Sequence, residues 1–194
     1  MSSLPLILAS TSPFRKELLN RLHLPFETYA PQVDETPQLQ ESPTNLVQRL
    51  AELKARAAQA AYPQALVIGS DQVAVLDDKI FGKPNSHPQA VEQLMAVSGR
   101  TLDFLTGLCL LNTRNYRVQI DIVRFTVHFR PLTLSQIENY LQKEQPYHCA
   151  GSFKSEGLGI ALLEKMKGDD PTALIGLPLI RLIEMLAQEG LSVI

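Results

Sequence analysis

Four prolines divide this chain, and each precedes a segment whose apolar residues recur every three or four positions. They are Pro13, Pro43, Pro88 and Pro178. Proline is favoured at the first helical position, because the N–H there has no intrahelical partner and the ring already sets a helical φ. We therefore expect helices to begin at these points, with short apolar runs between them forming strands. Alternation of helices and strands is typical of an α/β fold.

The longest predicted helix follows the cap Ser42 and runs from Pro43 to about residue 61. A helix over about 88–97 follows later in the chain, and Thr133 with Gln136 forms a capping box for another that reaches about residue 144. The last helix ends at Gly190. The long helix is expected to bury Leu46, Leu50, Leu53 and Ala57.

The predicted strands include "LPLILAS" (4–10), "TLDFLTGLCLLN" (101–112) and "RVQIDIVRFTVHF" (117–129), the last alternating as a strand with one wet face does. The run "ALVIGSDQVAV" (65–75) favours two short strands around "GSDQ", and "LDDKIFGKP" (76–84) indicates a hairpin return. The sheet is therefore expected to be mixed. Lacking any Gly/Ser linker, residues 1–194 are predicted to form one domain of about six helices and six strands.

Composition excludes several classes of partner. A formal charge of −2 provides no basic field for a polynucleotide, and no apolar run approaches the roughly 20 residues of a membrane span. The first residues lack the basic start and the length of a secretion signal, so we expect a cytoplasmic protein. Cys109 and Cys149 are then expected to be free thiols. A homodimer is plausible from the size of the chain alone.

Asp71 stands in the middle of an apolar run, which raises the question of its role. One interpretation is a β-turn, because Gly, Ser and Asp all suit turns. The other is a functional acid that meets further polar residues at the ends of apolar elements. Ser10, Ser12 and Arg15 fit the second interpretation, since they lie where a strand leads into a helix whose N-terminus favours an anion such as phosphate.

Three further charged residues are candidates for the same site. Glu35 in "VDET" and Lys83 in "GKP" lie in short segments bounded by proline, where each can also be a simple turn residue. Lys54 lies within the long helix, where a lysine usually extends to water. The pattern alone leaves these alternatives open.

Other chemistries lack their motifs. The chain has no P-loop, no GxGxxG fingerprint and no GxSxG elbow, and its four histidines and two cysteines show no zinc-ligand spacing. The remaining carboxylates, cations and hydroxyls suit a polyphosphate held with a hard divalent cation such as Mg²⁺ or Mn²⁺. A small nucleotide is therefore the expected partner.

A series of short motifs occurs in order along nearly the whole chain. They are "LASTSPFRKELL", "VDET", Lys54, "GSDQ", "GKP", "SGR" with the later "TGL", "CAGSFKSEGLG" and "GDDPTALIGLPL". Through these motifs the chain resembles the Maf family of nucleotide pyrophosphatases. The resemblance implies a mixed, strongly twisted sheet flanked by helices, with a central cleft between two lobes. It also implies metal-dependent hydrolysis of nucleoside triphosphates to monophosphates and pyrophosphate.

Residue roles follow from the same resemblance. Asp71 matches the family's catalytic aspartate, which acts as proton acceptor, and Glu35, Lys54 and Lys83 match its charged cleft residues. Glu35 and Asp71 are the expected metal ligands, and whether Asp71 serves as base or as ligand stays open. Ser10, Ser12 and Arg15 are expected to face the phosphates.

Three positions depart from the commoner family pattern together: Phe14, Gln72 and Glu156. They are similar to the branch that hydrolyses 7-methyl-GTP, whose base carries a positive charge, and the resemblance implies that all three, Gln72 included, bind the substrate. Phe14 would stack on that cationic ring, unless it is a core aromatic, and Glu156, if buried, would accept from the guanine edge and favour the cation. The alternatives are a dTTP/UTP pyrophosphatase and a non-catalytic nucleotide-binding regulator of cell division.

Overall fold

The structure is a computed structural model that describes residues 4–194. Residues 1–3, which belong to the segment tested above for a secretion signal, lie outside the described residues. No helix within residues 4–194 is long and apolar enough to cross a membrane. The cytoplasmic location, the single domain and the homodimer stay predictions.

Seven strands form one mixed sheet in the described part of the chain. Its order is β2-β1-β3-β5-β6-β7, and β4 pairs with the far end of β3. β1 is parallel to both β2 and β3, whereas the remaining pairs are antiparallel, which confirms the predicted mixed sheet. The strands are β1 (Leu6–Ala9), β2 (Phe26–Tyr29), β3 (Leu66–Leu76), β4 (Lys79–Phe81), β5 (Thr101–Asn112), β6 (Arg117–Phe129) and β7 (Leu163–Lys167).

Helices flank this sheet, and the predicted caps Ser42 and Thr133 each start one of them. The side chains of Ser12, Ser42 and Thr133 each accept a hydrogen bond from the backbone N–H three residues later, and the Thr133 capping box is complete. Two short 3₁₀ helices, Ala150–Ser152 and Leu158–Leu162, precede β7. The α-helices are α1 (Pro13–Asn20), α2 (Pro43–Ala57), α3 (His87–Val97), α4 (Leu134–Glu144), α5 (Pro171–Ile175) and α6 (Leu179–Gln188).

The predicted break at "GSDQ" is wrong, because β3 is one strand of 11 residues that passes straight through it. The glycine of this motif serves helix packing and not a turn. A Cβ on Gly69 would lie 2.1 Å from the Ala51 carbonyl oxygen of α2, and one on Gly107 of β5 would lie 2.3 Å from the Val47 carbonyl oxygen. The two glycines let α2 lie directly on the sheet, and Asp71 pairs with Gly107 within the unbroken strand β3.

Other expectations also need correction. α2 ends at Ala57, earlier than expected, and β2 and α5 were not predicted at all. Leu53 is 37% exposed and Ala57 is half-buried, although both were expected on the buried face. That face is instead completed by Val47, Ala51, Lys54 and Ala55, the side that contacts β3 and β5. The small side chains of Ala51 and Ala55 allow α2 to lie close to the sheet, which larger apolar residues would prevent.

Two large apolar clusters lie at opposite ends of the long strands. One contains Leu66 and Ile68 of β3 with residues of α1 and α6, and the other contains Ala74 and Leu76 with residues of α3 and α4. Asp71 lies between them on the same strand. This division agrees with the two lobes and central cleft that the family resemblance implied.

Candidate active site

One large cavity lies between the two clusters, with a volume of about 800 Å³. Pockets for small ligands commonly span about 300–1,000 Å³, so this one can hold a nucleoside triphosphate. All ten residues singled out from the sequence line it, although they come from six separate segments of the chain. They are Ser10, Ser12, Phe14, Arg15, Glu35, Lys54, Asp71, Gln72, Lys83 and Glu156.

Asp71 is bound to Lys54 within this cavity. The distance from Lys54 Nζ to Asp71 Oδ1 is 2.6 Å, and the same ammonium lies 2.9 Å from Glu35 Oε1. Asp71 and Lys54 are 7% and 6% exposed, whereas Glu35 reaches into solvent. One cation therefore holds the two carboxylates together, and the alternative in which Lys54 extends to water is wrong.

Burial of Lys54 follows from the way α2 meets the sheet. Lys54 shares the inward face of α2 with Ala51 and Ala55, and Gly69 of β3 lets that face approach closely. Because Lys54 is buried, its ammonium has lost most of its contact with water and needs an acidic partner. Asp71, two residues beyond Gly69 on β3, provides it.

The segment that carries Glu35 is tied to α2 by Arg49. Its Nη2 donates to the Thr36 carbonyl oxygen at 3.1 Å, and its guanidinium grips Glu41 with Nε–Oε1 and Nη2–Oε2 distances of 2.6 and 2.8 Å. The hydrogen bond from Arg49, with a second from the Gln38 backbone N–H, lowers the pKa of Glu41 to about 2. Arg49 thus anchors the backbone immediately after Glu35.

The two predicted serines shape the turn before α1. Ser12 Oγ accepts from the Arg15 backbone N–H, and Ser10 Oγ accepts from the Ser12 backbone N–H at 3.2 Å. These two N–H groups are therefore already paired within the turn, although they were expected to be free for an anion. The hydroxyls themselves lie in the cavity wall.

Arg15 is aimed into the cavity by a carbonyl group at the end of α5. Its Nε donates to the Gly176 carbonyl oxygen at 2.8 Å, and Ser70 Oγ donates to the same oxygen at 2.9 Å. In the described residues the terminal N–H groups of Arg15 have no acceptor, so they can bind two oxygens of a phosphate. Burial lowers the pKa of Arg15, and the charges of Asp71 and Glu35 oppose that shift.

Gln72 holds α5 against the sheet. Its Nε2 donates to the carbonyl oxygens of Ala173 and Leu174 at 2.7 and 3.1 Å and contacts Thr106 Oγ1 at 3.0 Å. Thr106 in turn donates to the Ala173 carbonyl oxygen. The amide nitrogen is thus fully engaged inside the protein, which favours an indirect role through Gly176 and Arg15 over direct contact with a nucleotide.

The remaining candidates lie in the outer parts of the cavity. Phe14 is half-buried in the wall and belongs to none of the apolar clusters, so the alternative of a core aromatic is wrong. Lys83 is exposed just after β4, where Gly82 accepts from the Gly151 backbone N–H. Glu156 is also exposed, so the condition of burial under which its carboxylate would favour a cationic base is not met.

The carboxylates suit a hard cation only in combination with a substrate. Within residues 4–194 no three acidic, histidine or cysteine side chains converge to hold a metal by themselves. Glu35 and Asp71 each pair with Lys54 through one oxygen, which leaves the second oxygen of each outside that contact. Mg²⁺ is commonly held by one or two carboxylates together with phosphate oxygens and water, so this donor set fits it.

Several residues around the cavity escaped the sequence reasoning. Ser70, Thr106 and Gly176 act through contacts between segments far apart in the chain. A signal for Gly176 existed: Asp170 and Pro171 start a short helix, and a glycine follows as a helix stop. Arg49 carries no such sequence signal, because a basic residue on a helix normally lies in solvent.

Comparison with known proteins identifies the group to which this architecture is similar. A family model described as "Maf-like protein" matches residues 5–189. That range contains all ten cavity residues named above and every strand of the sheet.

Three relatives match over nearly their full lengths, and each is called "7-methyl-GTP pyrophosphatase". The protein of Nitrosococcus oceani is 61% identical over 189 residues, covering 97% of this chain and 95% of the relative. That of Methylobacillus flagellatus is 57% identical over 190 residues, covering 98% and 99%. That of Vibrio cholerae is 56% identical over 194 residues, covering all of both chains.

Proposed function

This chain belongs to the Maf family, and from that premise we propose that it hydrolyses 7-methyl-GTP to 7-methyl-GMP and pyrophosphate. The relatives named for this activity share more than half of its residues over nearly their whole length. The observation that carries the residue assignment is the cavity in which one aromatic, three acidic and three basic candidates meet.

The charged residues of the cavity have two tasks: the carboxylates act where the bond is broken, and the cations bind the phosphates. Asp71 and Glu35 lie together on Lys54, and Arg15 opens onto the same space. Phosphate oxygens are stabilised by Arg15, Lys54 and the rim residue Lys83, because cations placed where negative charge develops stabilise the transition state. The triphosphate therefore lies with its reacting end near Asp71.

Hydrolysis needs one activated water. The oxygen of Asp71 that is not bound to Lys54 accepts a proton from this water as its oxygen forms a bond to the α-phosphorus. The bond from the α-phosphorus to the oxygen that bridges to the β-phosphate breaks, and pyrophosphate leaves with the bonding electrons. Lys54 holds the carboxylate in position.

Glu35 would hold a divalent cation, Mg²⁺ or Mn²⁺, through its second carboxylate oxygen together with the substrate's phosphates, while the second oxygen of Asp71 serves as the base. In the alternative assignment, that Asp71 oxygen would be the second carboxylate ligand of the cation. When bound, that ion would neutralise charge on the phosphate oxygens. Arg49 supports this arrangement by fixing the backbone next to Glu35.

The methylated base is selected by charge. Methylation at N7 gives the guanine ring a positive charge, which the face of Phe14 stabilises by a cation–π contact. Glu156 accepts hydrogen bonds from the N1–H and 2-amino groups of the guanine edge. Uracil and thymine carry no such positive charge and lack the paired N1–H and 2-amino donors of guanine.

Pyrophosphate release from the purified protein tests this function. With Mg²⁺ present, 7-methyl-GTP should be hydrolysed with a higher kcat/KM than UTP or dTTP. Asp71→Asn should lower kcat by about 10²–10⁴-fold, the range that a general base contributes. Faster hydrolysis of UTP would contradict the substrate, and equal release by Asp71→Asn would remove Asp71 from the mechanism.

The metal requires its own test. Treatment with EDTA should abolish pyrophosphate release, and Mg²⁺ or Mn²⁺ added in excess should restore it. Glu35→Gln should raise the Mg²⁺ concentration needed for half-maximal rate, because it removes one anionic ligand. Full activity in EDTA would contradict the metal.

A further inference from the structure

One carboxylate on α4 holds both sides of the loop that carries Glu156. Glu144 Oε1 lies 2.6 Å from Lys154 Nζ, and Glu144 Oε2 accepts from the Leu158 backbone N–H at 2.6 Å. Lys154 and Leu158 lie two residues before and two residues after Glu156. Both oxygens of Glu144 are thus used to close one short loop.

The loop fits Glu144 closely. A Cβ on Gly157 would lie 2.5 Å from Glu144 Oε2, nearer than real atoms approach, so the backbone next to Glu156 passes directly over this carboxylate. The hydrogen bonds from Lys154 and from the Leu158 N–H lower the pKa of Glu144. The hydrogen bond that Lys154 donates to Glu144 raises the pKa of Lys154. Both groups therefore stay charged at neutral pH.

Tyr140 fixes the start of the same loop. Its hydroxyl donates to the Ser152 carbonyl oxygen and accepts from the Lys154 backbone N–H at 3.1 Å. Tyr140 is buried and lies one helical turn before Glu144 on α4. The loop from Ser152 to Leu158 is therefore held at three points by one helix face, although Glu156 itself is exposed.

We propose that Glu144 is a positioning residue for base selection: it fixes the loop geometry at which Glu156 meets the guanine edge, with Lys154 as its partner. The proposal rests on the function proposed above. An exposed carboxylate on a free loop would lose conformational entropy on binding the base, and a loop already closed on Glu144 avoids that loss. GTP offers the same N1–H and 2-amino donors, so selectivity for 7-methyl-GTP comes from the attraction between the Glu156 carboxylate and the positively charged base. Glu144 lines the cavity with Glu156, but its two carboxylate oxygens are already used within the loop, so it sets the distance of that attraction.

Steady-state kinetics with 7-methyl-GTP and GTP test this role. In Glu144→Ala the ratio of kcat/KM for 7-methyl-GTP to that for GTP should fall about tenfold, through KM for 7-methyl-GTP. Lys154→Met should lower the ratio in the same direction, and Lys154→Arg should retain it. Adding Lys154→Met to Glu144→Ala should cause no further change, because the pair acts as one unit.

Glu184→Gln provides the matched control. Glu184 is an exposed partner of Arg181 on α6 and does not line the cavity, so its loss should leave the ratio and Tm at wild-type values. If Glu144→Ala keeps the wild-type ratio, or loses both substrates by the same factor, Glu144 has no positioning role. If Glu144→Ala does not fold, the Lys154 variants decide by the same ratio.

The same measurements distinguish failure of the proposed function from failure of the role inferred for Glu144. A wild-type protein that prefers UTP to 7-methyl-GTP overturns the proposed function and this inference with it. A wild-type protein that prefers 7-methyl-GTP, with the preference unchanged in Glu144→Ala and Lys154→Met, overturns the inference alone.

Discussion

Lys54 Nζ lies 2.6 Å from Asp71 Oδ1, and the two side chains are only 7% and 10% exposed. The ammonium also reaches the exposed Glu35, so it links a strand, a helix and an irregular segment. A buried ion pair is weak evidence for stability in itself, because desolvation offsets much of the attraction. Its value here is that it holds the Asp71 carboxylate in one position inside the cavity.

Replacement of Lys54 should destabilise the folded protein, because it leaves Asp71 buried without a cation. We expect Lys54→Met to lower the free energy of unfolding by about 3 kcal/mol, the low end for a broken buried pair, since cavity water reaches Asp71. Urea denaturation of Lys54→Met, Asp71→Asn and the double variant measures this. The double variant should be more stable than the sum of the single losses predicts, and strict additivity would contradict the coupling.

Much of the fold could be predicted because its signals are local. Caps such as Ser42 and Thr133 lie beside the helices that they start, and the bounds of β5 and β6 agree with the alternating runs. The failure at "GSDQ" had a different origin. Gly69 is required by the close approach of α2, and a local pattern cannot distinguish a glycine for packing from one for a turn.

The ten cavity residues were found mainly through the family resemblance, since their local alternatives were turns and solvent contacts. What holds them in place was not predictable. The bonds from Arg15 and Ser70 to Gly176 join residues more than 100 positions apart, and a sequence pattern carries no distance between such segments. Burial of Lys54 likewise depends on which face of α2 meets β3.

Phe14 should distinguish the methylated base from the ordinary one. A cation–π contact contributes roughly 0.5–2 kcal/mol, so Phe14→Leu should lower the preference for 7-methyl-GTP over GTP by about 2–30-fold while kcat/KM for GTP changes little. Leucine keeps an apolar surface at this half-buried position. Competition kinetics with both nucleotides measure the ratio. An equal loss for both substrates would indicate packing without charge recognition.

Glu41 should contribute to the acid dependence of stability. Its pKa is lowered from 4.5 to about 2 by Arg49, so the folded state favours the ionised form. The stabilisation is fully present above about pH 5 and is lost as the pH falls from about 4.5 to 2. Unfolding of wild type and Glu41→Gln at a series of pH values checks this: the difference between them should be constant near neutrality and shrink below pH 4.5. A difference that grows on acidification would contradict the assigned direction.

Gly176 should link backbone conformation to the orientation of Arg15. Its φ is +115°, and a Cβ there would lie 3.5 Å from Arg15 Nε, so Gly176→Ala should cost about 1–2 kcal/mol of stability and also lower kcat/KM. Gly190→Ala is the matched control, because φ is +78° and no atom lies within 4 Å of its Cβ. It should lose similar stability with unchanged kcat/KM, measured by denaturation and pyrophosphate release. Because backbone strain is common to both variants, an activity loss confined to Gly176→Ala would assign the effect to Arg15, whereas equal activity in the two would show that the Gly176 carbonyl does not control this arginine.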